Sequence, residues 1–238
     1  MQKGAEIYSG KAKTLYTSDD PELLVMEYRN DATAFNALKK ASLPRKGLVN
    51  NYFNAFIMDY LEKQGIKTHF VKLLNDTESL VRRVEIIPLE CVVRNVTAGN
   101  LCKRLGLEEN KIISPPLFEF YLKNDALNDP IINDDHIRLF NFASPGEIAL
   151  IKKMSLAVND ALIPLFLKAN LTLVDFKLEF GRCDGNIILG DEFTPDGCRL
   201  WDVHTRERLD KDRFRQDLGN VIESYEEVAR RLQIKLPT

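Results

Sequence analysis

Cysteine is scarce and unpatterned in this chain. Cys91, Cys102, Cys183 and Cys198 show no CxxC spacing, and the three histidines, His69, His136 and His204, are scattered. That argues against a zinc centre or a disulfide framework, and reduced thiols of a cytoplasmic protein are the expectation. Long apolar runs are also missing. None approaches the ~20 residues that a membrane-spanning helix needs. The opening MQKGAEIYSGKAK lacks the apolar core of a signal peptide, so neither membrane nor export is expected. Charge of one sign is not in excess: 33 basic and 35 acidic side chains leave a net −2. No global field therefore points to nucleic acid or an anionic membrane. Internal repeats and low-complexity segments are absent as well.

What remains is an ordinary globular composition, 238 residues with 45% hydrophobic and 29% charged side chains, enough for one large domain or two small ones. The first part reads as short strands at Glu6–Ser9, Thr14–Thr17, Leu23–Tyr28, His69–Leu74 and Ser79–Ile86. Between them, Gly47–Gln64 carries Leu48, Tyr52, Phe56, Tyr60 and Val49, Phe53, Ile57, Leu61 at helical spacing. Ile86-Ile87-Pro88 is the expected crossover into a second region. There Leu89–Arg94 reads as a strand and Thr97–Leu105 as a short helix stopped by Gly106. Ser144-Pro145-Gly146-Glu147 is a capping box with proline at the first helical position, opening a long helix to about Lys168 that Pro164 should kink or break. Phe214, Leu218, Val221, Ile222, Tyr225, Val228 and Leu232 mark a closing amphipathic helix. Strands first, then strands mixed with helices, predicts an α+β fold and not a βαβ repeat.

The chemistry concentrates between Leu171 and Asp202. With period two, Asp175, Lys177 and Glu179 face one side of a strand, and Val174, Phe176, Leu178 and Phe180 the other. A turn at Asp184-Gly185 leads to a second apolar run ending in Asp191-Glu192. If the loop takes residues 183–185, Asp191 falls opposite Lys177 and diagonal to Glu179. A two-residue turn would put Asp191 on the apolar face, so the longer loop is expected. The product would be one lysine among three carboxylates on one sheet face. Such oxygens suit Mg²⁺, which takes one or two carboxylates plus substrate phosphates. The same alternation equally describes an antiparallel sheet with a solvated polar face.

Two further groups stand out. In Ser9-Gly10-Lys11-Ala12-Lys13 a glycine would let backbone N–H groups approach a polyphosphate beside two cationic donors. The upstream glycine of a Walker A loop is missing, and a solvated hairpin with incidental lysines reads the same way. Arg94, followed by Asn95-Val96-Thr97-Ala98-Gly99-Asn100, and Arg199 carry forks suited to phosphate or carboxylate, or to surface ion pairs.

These segments resemble the SAICAR synthetase family of purine biosynthesis over nearly the whole chain. The matching blocks are Tyr8–Tyr16 (YSGKAKTLY), Arg29–Ala41 (RNDATAFNALKKA), Lys46–Asn54 (KGLVNNYFN) and Glu90–Gly99 (ECVVRNVTAG). They continue with Lys123–Pro130 (KNDALNDP), Val174–Gly181 (VDFKLEFG), Leu189–Asp202 (LGDEFTPDGCRLWD) and Asp210–Gln216 (DKDRFRQ). The resemblance implies two lobes, a small antiparallel one over residues 1–87 and a larger α+β one over 88–238, related to ATP-grasp and kinase-like folds, with ATP between them. It implies a ligase that joins L-aspartate to the carboxylate of an aminoimidazole ribonucleotide, CAIR, using ATP and Mg²⁺, in a cytoplasmic homodimer or larger homo-oligomer. Gly10, Lys11, Ala12 and Lys13 would line the ATP phosphates, and the backbone of Val84, Glu85 and Ile86 would meet adenine. Glu179 and Asp191 would hold the metal. Arg94, Asn100, Lys177 and Arg199, with Asp175 nearby, would surround the CAIR phosphate and carboxylate, Asn100 standing where some members carry serine. Asp175 would accept a proton from aspartate, or orient Lys177 or the aminoimidazole. Ala34–Leu43, the segment Lys123–Asp129, Lys211 and Arg215 would serve aspartate recognition and closure. Another ATP-dependent ligase or small-molecule kinase on the same scaffold, and a non-catalytic nucleotide-binding module, are the rival readings.

Overall fold

Short strands punctuated by turn residues build the first of two antiparallel sheets in this computed structural model, which describes residues 2–34 and 38–237. β1 (Glu6–Ser9), β2 (Lys13–Thr17) and β3 (Leu23–Tyr28) form a meander. β4 (Asp31–Ala34) and β5 (Lys39–Ser42) make a separate ribbon, and α1 (Lys46–Lys63) follows. β6 (Phe70–Leu73) and β7 (Glu78–Arg82) then complete the order β1-β2-β3-β7-β6.

The second sheet begins with β8 (Glu85–Val96), then α2 (Gly99–Leu105), β9 (Ile112–Leu122), β10 (Ile131–Ile132), α3 (Asp134–Leu139) and α4 (Pro145–Lys168). β11 (Leu171–Cys183), β12 (Asn186–Gly190) and β13 (Cys198–Asp202) complete it, before α5 (Asp212–Arg215) and α6 (Val221–Arg231). The order is β10-β9-β8-β11-β12, with β13 also on β11. All these pairings are antiparallel, so the fold is α+β as expected. No helix among the described residues is long and apolar enough to cross a membrane.

One detail of that sheet creates the site. β13 pairs with β11 from Leu171 to Phe176, and β12 pairs with it from Glu179 to Cys183. The connection 191–197 therefore leaves the sheet at the middle of β11, where Lys177 N–H donates to Gly197 O at 2.9 Å. Phe193 fixes this connection in the core, its ring 5.5 Å from Phe176 and 6.3 Å from Phe166. α1 straps it from the other side. Lys46, Asn50 and Asn54 recur every four residues, and all three are buried. The Asn54 carboxamide oxygen accepts Phe193 N–H at 2.9 Å, Asn50 donates to Asp196 at 3.0 Å, and Lys46 pairs with the same carboxylate. The next stripe of α1, Phe53, Ile57 and Leu61, enters the main core with Leu89, Val93, Leu162, Phe166 and Leu178.

Several expectations are corrected. The crossover expected at Ile86-Ile87-Pro88 lies inside β8, where proline is accommodated because pairing with β11 shifts between Glu90 and Ile86. Pro164 does not break α4. Leu162 and Phe166 flank it, both fully buried, and their packing outweighs the single lost backbone bond. The Ser144–Glu147 capping box forms as expected. The closing helix is split, because Asp217, Gly219 and Asn220 adopt left-handed φ of 55°, 67° and 49° between α5 and α6. Val174 leaves the main core stripe at the irregularity between Leu173 and Asp175 and packs with Val96, Ala98 and Trp201.

The two sheets meet at residues 67–69. Leu189 N–H donates to Lys67 O at 3.0 Å, His69 N–H to Leu189 O at 2.8 Å, and Arg82 N–H to His69 O at 2.6 Å. Burial pushes the His69 imidazole from 6.5 down to about 4. Between those values the unfolded chain binds the proton that the folded chain refuses, so stability rises with pH there and is lost as pH falls. Denaturant titrations should show His69 contributing about 2 kcal/mol more stability at pH 7 than at pH 4.5. The same titrations on His69→Gln should lack that increment; an unchanged pH slope would remove this role for His69.

Candidate active site

A cavity of about 370 Å³ lies between the two sheets. One end is apolar, walled by Leu15, Leu24, Met26, Val81, Val84 and Ile86. Gly181 makes that wall possible, since a Cβ there would sit 2.8 Å from Val84. Glu85, between these wall residues, points outward to Arg182 at 2.8 Å.

The other end holds opposed charges. Lys177 Nζ lies 2.7 Å from Glu90 and 2.8 Å from Glu179, and Lys123 Nζ reaches the same Glu179 oxygen at 2.8 Å. Lys13 pairs with Asp191 and lies 3.1 Å from Glu192. Burial opposes these charges, but the surrounding carboxylates hold Lys13 and Lys177 above their ordinary values. Burial likewise opposes the Asp191 carboxylate, yet Lys13, Lys177 and Lys123 hold it well below the usual range. Lys13, Lys177 and Asp191 therefore stay charged at neutral pH.

Asp191 reaches this cluster by a different route from the one expected. The β11–β12 register pairs Cys183 with Asn186, so the turn is the two-residue Asp184-Gly185, both at positive φ of 49° and 73°. Asp191 would then face the apolar side, but it lies beyond β12 and its own φ of 55° swings it out of the pleat. The expected single lysine among three carboxylates is corrected too. Three lysines converge, Glu90 and Glu192 join them, and Asp175 belongs elsewhere.

Asp175 sits in a ladder of alternating charge running across α2, β9, β8, β11, β13 and α5. Arg104 pairs with Glu119, which lies 2.7 Å from Arg94, itself 2.7 Å from Asp175. Asp175 continues to Arg199 at 2.9 Å, Arg199 to Asp212 at 2.8 Å, and Asp212 to Arg215 at 2.6 Å. Arg94 and Asp175 are buried; burial opposes the Arg199 charge, but Asp175 and Asp212 hold its pKa above the ordinary value. Gly99 lets the Arg199 guanidinium lie at the start of α2, where a Cβ would meet it at 2.3 Å. Exposed Asn100 follows it.

The remaining expected residues are dispersed. Gly10, Lys11, Ala12 and Lys13 line the cavity, although Lys11 Nζ pairs with exposed Asp125 at 2.7 Å on its rim. Lys211 lines it near Asp196, with burial lowering its pKa. Asp129 instead accepts Asn124 N–H at 2.9 Å and closes a turn. Residues 35–37 of the Ala34–Leu43 segment lie outside the described residues; the rest forms the β4–β5 ribbon beside a second cleft of about 740 Å³. That cleft shares Tyr8, Gly10, Lys11 and Asp125 with the cavity. A larger cleft of about 940 Å³ has Glu147 as its one carboxylate among the described residues, paired with Arg182 at 2.6 Å.

Sequence reasoning missed Glu90, Glu119, Arg104, Glu192, Asp212 and the Lys46-Asn50-Asn54 stripe. Only the stripe carried a signal, polar residues at i, i+4 and i+8 in a helix otherwise rich in apolar side chains. Among the described residues no three His, Cys, Asp or Glu side chains form a metal cage. Glu179 and Asp191 nonetheless offer the hard oxygens that Mg²⁺ takes when phosphates and waters complete its shell.

Comparison with known proteins agrees with this geometry. The sequence profile of the SAICAR synthetase family matches residues 6–232. The chain is 57% identical over 235 residues to phosphoribosylaminoimidazole-succinocarboxamide synthase of Hahella chejuensis, covering 99% of this chain and 100% of the relative. The crystal structure of the Ehrlichia chaffeensis synthase superposes with a TM-score of 0.96 at 44% identity, covering 98% of this chain and 100% of that one. A SAICAR synthetase in complex with ADP gives 0.94 at 44% identity, covering 97% and 99%. With a family profile spanning nearly every residue, and relatives matched end to end, this chain belongs to the SAICAR synthetase family.

Proposed function

We propose that this chain is the ATP-dependent ligase that joins L-aspartate to the carboxylate of CAIR, giving SAICAR, ADP and phosphate in purine biosynthesis. The observation that carries this reading is a cavity with an apolar end for a base, three lysines and two metal-type carboxylates beyond it, and an arginine ladder alongside. A member of the family solved with ADP supports the nucleotide assignment. On this reading residues 1–87 and 88–238 act as two lobes with ATP between them, the boundary falling within the first residues of β8. Val84 and Ile86 flank adenine, and Gly10–Lys13 meet the phosphates.

A carboxylate resists an amine because oxide would have to leave, so activation as an acyl phosphate is the chemically sensible route. Mg²⁺ held by Glu179 and Asp191 would supply charge neutralisation to the phosphates. Lys177 and Lys123 approach from one side and Lys13 from the other, where their ammoniums offset the charge gathered at phosphoryl transfer. Arg94 and Arg199 hold the phosphorylated acid. Asp175 acts here as a positioning residue and not as the base, since Arg94 and Arg199 donate to its Oδ2 at 2.7 and 2.9 Å and Arg199 also donates to its Oδ1 at 3.1 Å. Lys211 and Arg215, with the segment around Lys123–Asp129, are the side chains proposed for aspartate and closure over the acyl phosphate.

Asp191→Asn and Glu179→Gln should each keep the fold and lose at least about 100-fold in turnover. Near-normal rates of both variants at saturating Mg²⁺ would remove the metal pair. Lys13→Ala should raise KM for ATP while leaving CAIR affinity by calorimetry within about twofold; an equal loss for CAIR would reassign the glycine loop to the ribonucleotide. The order of chemistry is open to isotopes. CAIR carrying ¹⁸O in its carboxylate should pass one label to the released phosphate, and unlabelled phosphate would refute the acyl phosphate.

A further inference from the structure

Arg29 directs its side chain and its own amide at one neighbour, the loop between β1 and β2. Nη2 donates to Gly10 O at 2.6 Å, and Nη1 to Lys13 O at 3.0 Å and Ser9 Oγ at 3.1 Å. Nη1 also meets Thr14 Oγ1, and the Arg29 backbone N–H donates to Ala12 O at 2.7 Å. Asp31 holds Nε at 2.6 Å and fixes the plane of the fork. The carbonyl directions of Gly10, Ala12 and Lys13 are thus set by one residue 16 to 19 positions away.

Across a trans peptide the N–H points opposite to the preceding C=O. Drawing the Gly10 and Ala12 carbonyls toward Arg29 therefore turns the Lys11 and Lys13 amides away from it. Arg29 lines the 740 Å³ cleft but not the 370 Å³ cavity, whereas Gly10–Lys13 line the cavity. We propose that Arg29 is a positioning residue that shapes the Gly10–Lys13 loop into an anion cradle, presenting its amides to a nucleotide polyphosphate without touching the nucleotide itself. A planar fork is needed for this, because an ammonium cannot reach carbonyls and hydroxyls spread along the loop at once. The inference rests on the reading of this loop as the phosphate site.

The test is a phosphate-count series. Affinities of wild type, Arg29→Lys and Arg29→Ala for ADP, AMP and adenosine are measured by calorimetry at fixed Mg²⁺, together with CAIR affinity and melting temperature. Both variants should lose about 10- to 100-fold for ADP, less for AMP and less than twofold for adenosine and CAIR. KM for ATP should rise in step while KM for CAIR stays constant, and lysine should not rescue alanine. Arg29→Lys keeps the measurement available if the alanine variant fails to fold. A wild type that prefers ADP to adenosine, with variants that keep the same preference, would overturn the Arg29 proposal alone. A wild type that binds adenosine as tightly as ADP would overturn the phosphate-loop reading and this proposal with it.

Discussion

Charge withdrawn from water must be matched, or it costs several kcal/mol per ion, and that constraint shapes the whole cavity. Lys13, Lys123 and Lys177 face Glu90, Glu179, Asp191 and Glu192, so each ammonium meets at least one carboxylate. The strand architecture follows from the need to bring those groups together. Lys177 and Glu179 come from the centre of β11, Glu90 from β8, and Asp191 from the gap where β12 stops before β13 starts. Lys13 arrives from the other sheet, which makes its pair with Asp191 a link between the two halves of the molecule. The ammoniums that neutralise the carboxylates are also those a polyphosphate would recruit, and a divalent cation arriving with it would take their place beside Glu179 and Asp191.

The connection carrying Asp191 would be an unusually mobile place for a precise charge if it were merely a loop. It is instead held on both sides. Phe193 packs between Phe166 and Phe176, and the polar stripe of α1 grips the backbone at Phe193 and the side chain of Asp196. Tyr225 of α6 adds a third hold on Asp196 at 2.8 Å. Burial of Lys46, Asn50 and Asn54 in a helix is costly in isolation, and these bonds offset part of that cost, with Asn50 Oδ1 and Asn54 Nδ2 buried without a hydrogen-bond partner among the described residues.

Local patterns in the sequence were readable where one physical rule acts alone. Glu6–Ser9 and Leu23–Tyr28 have the predicted bounds, and Ser144 with Glu147 forms the expected reciprocal cap. The alternation of Asp175, Lys177 and Glu179 was visible as well. What escaped depended on backbone events that leave faint traces. The left-handed φ of Asp191 reverses the face its register assigns, and the irregularity between Leu173 and Asp175 brings Leu173 into the main core and moves Val174 out of it. Glu119, Arg104 and Asp212 are ordinary surface-type residues by sequence. Only the neighbouring of α2, β9, β8, β11, β13 and α5 turns them into one ladder. The family resemblance supplied the association of Arg94 with Arg199 that periodicity could not.

The placement of α1 has a consequence for the nascent chain. Its apolar stripe is made early, yet its partners Leu162, Phe166 and Leu178 emerge roughly a hundred residues later. Until then the helix has an oily face covered only in part, by residues such as Leu89 and Val93, and a polar stripe with no loop to grip. The first half of the polypeptide cannot complete its core during synthesis, and the cavity is assembled only when α4 and β11 close onto α1. Construction of the site is therefore a late event in folding, and part of that apolar face stays open until α4 and β11 are made.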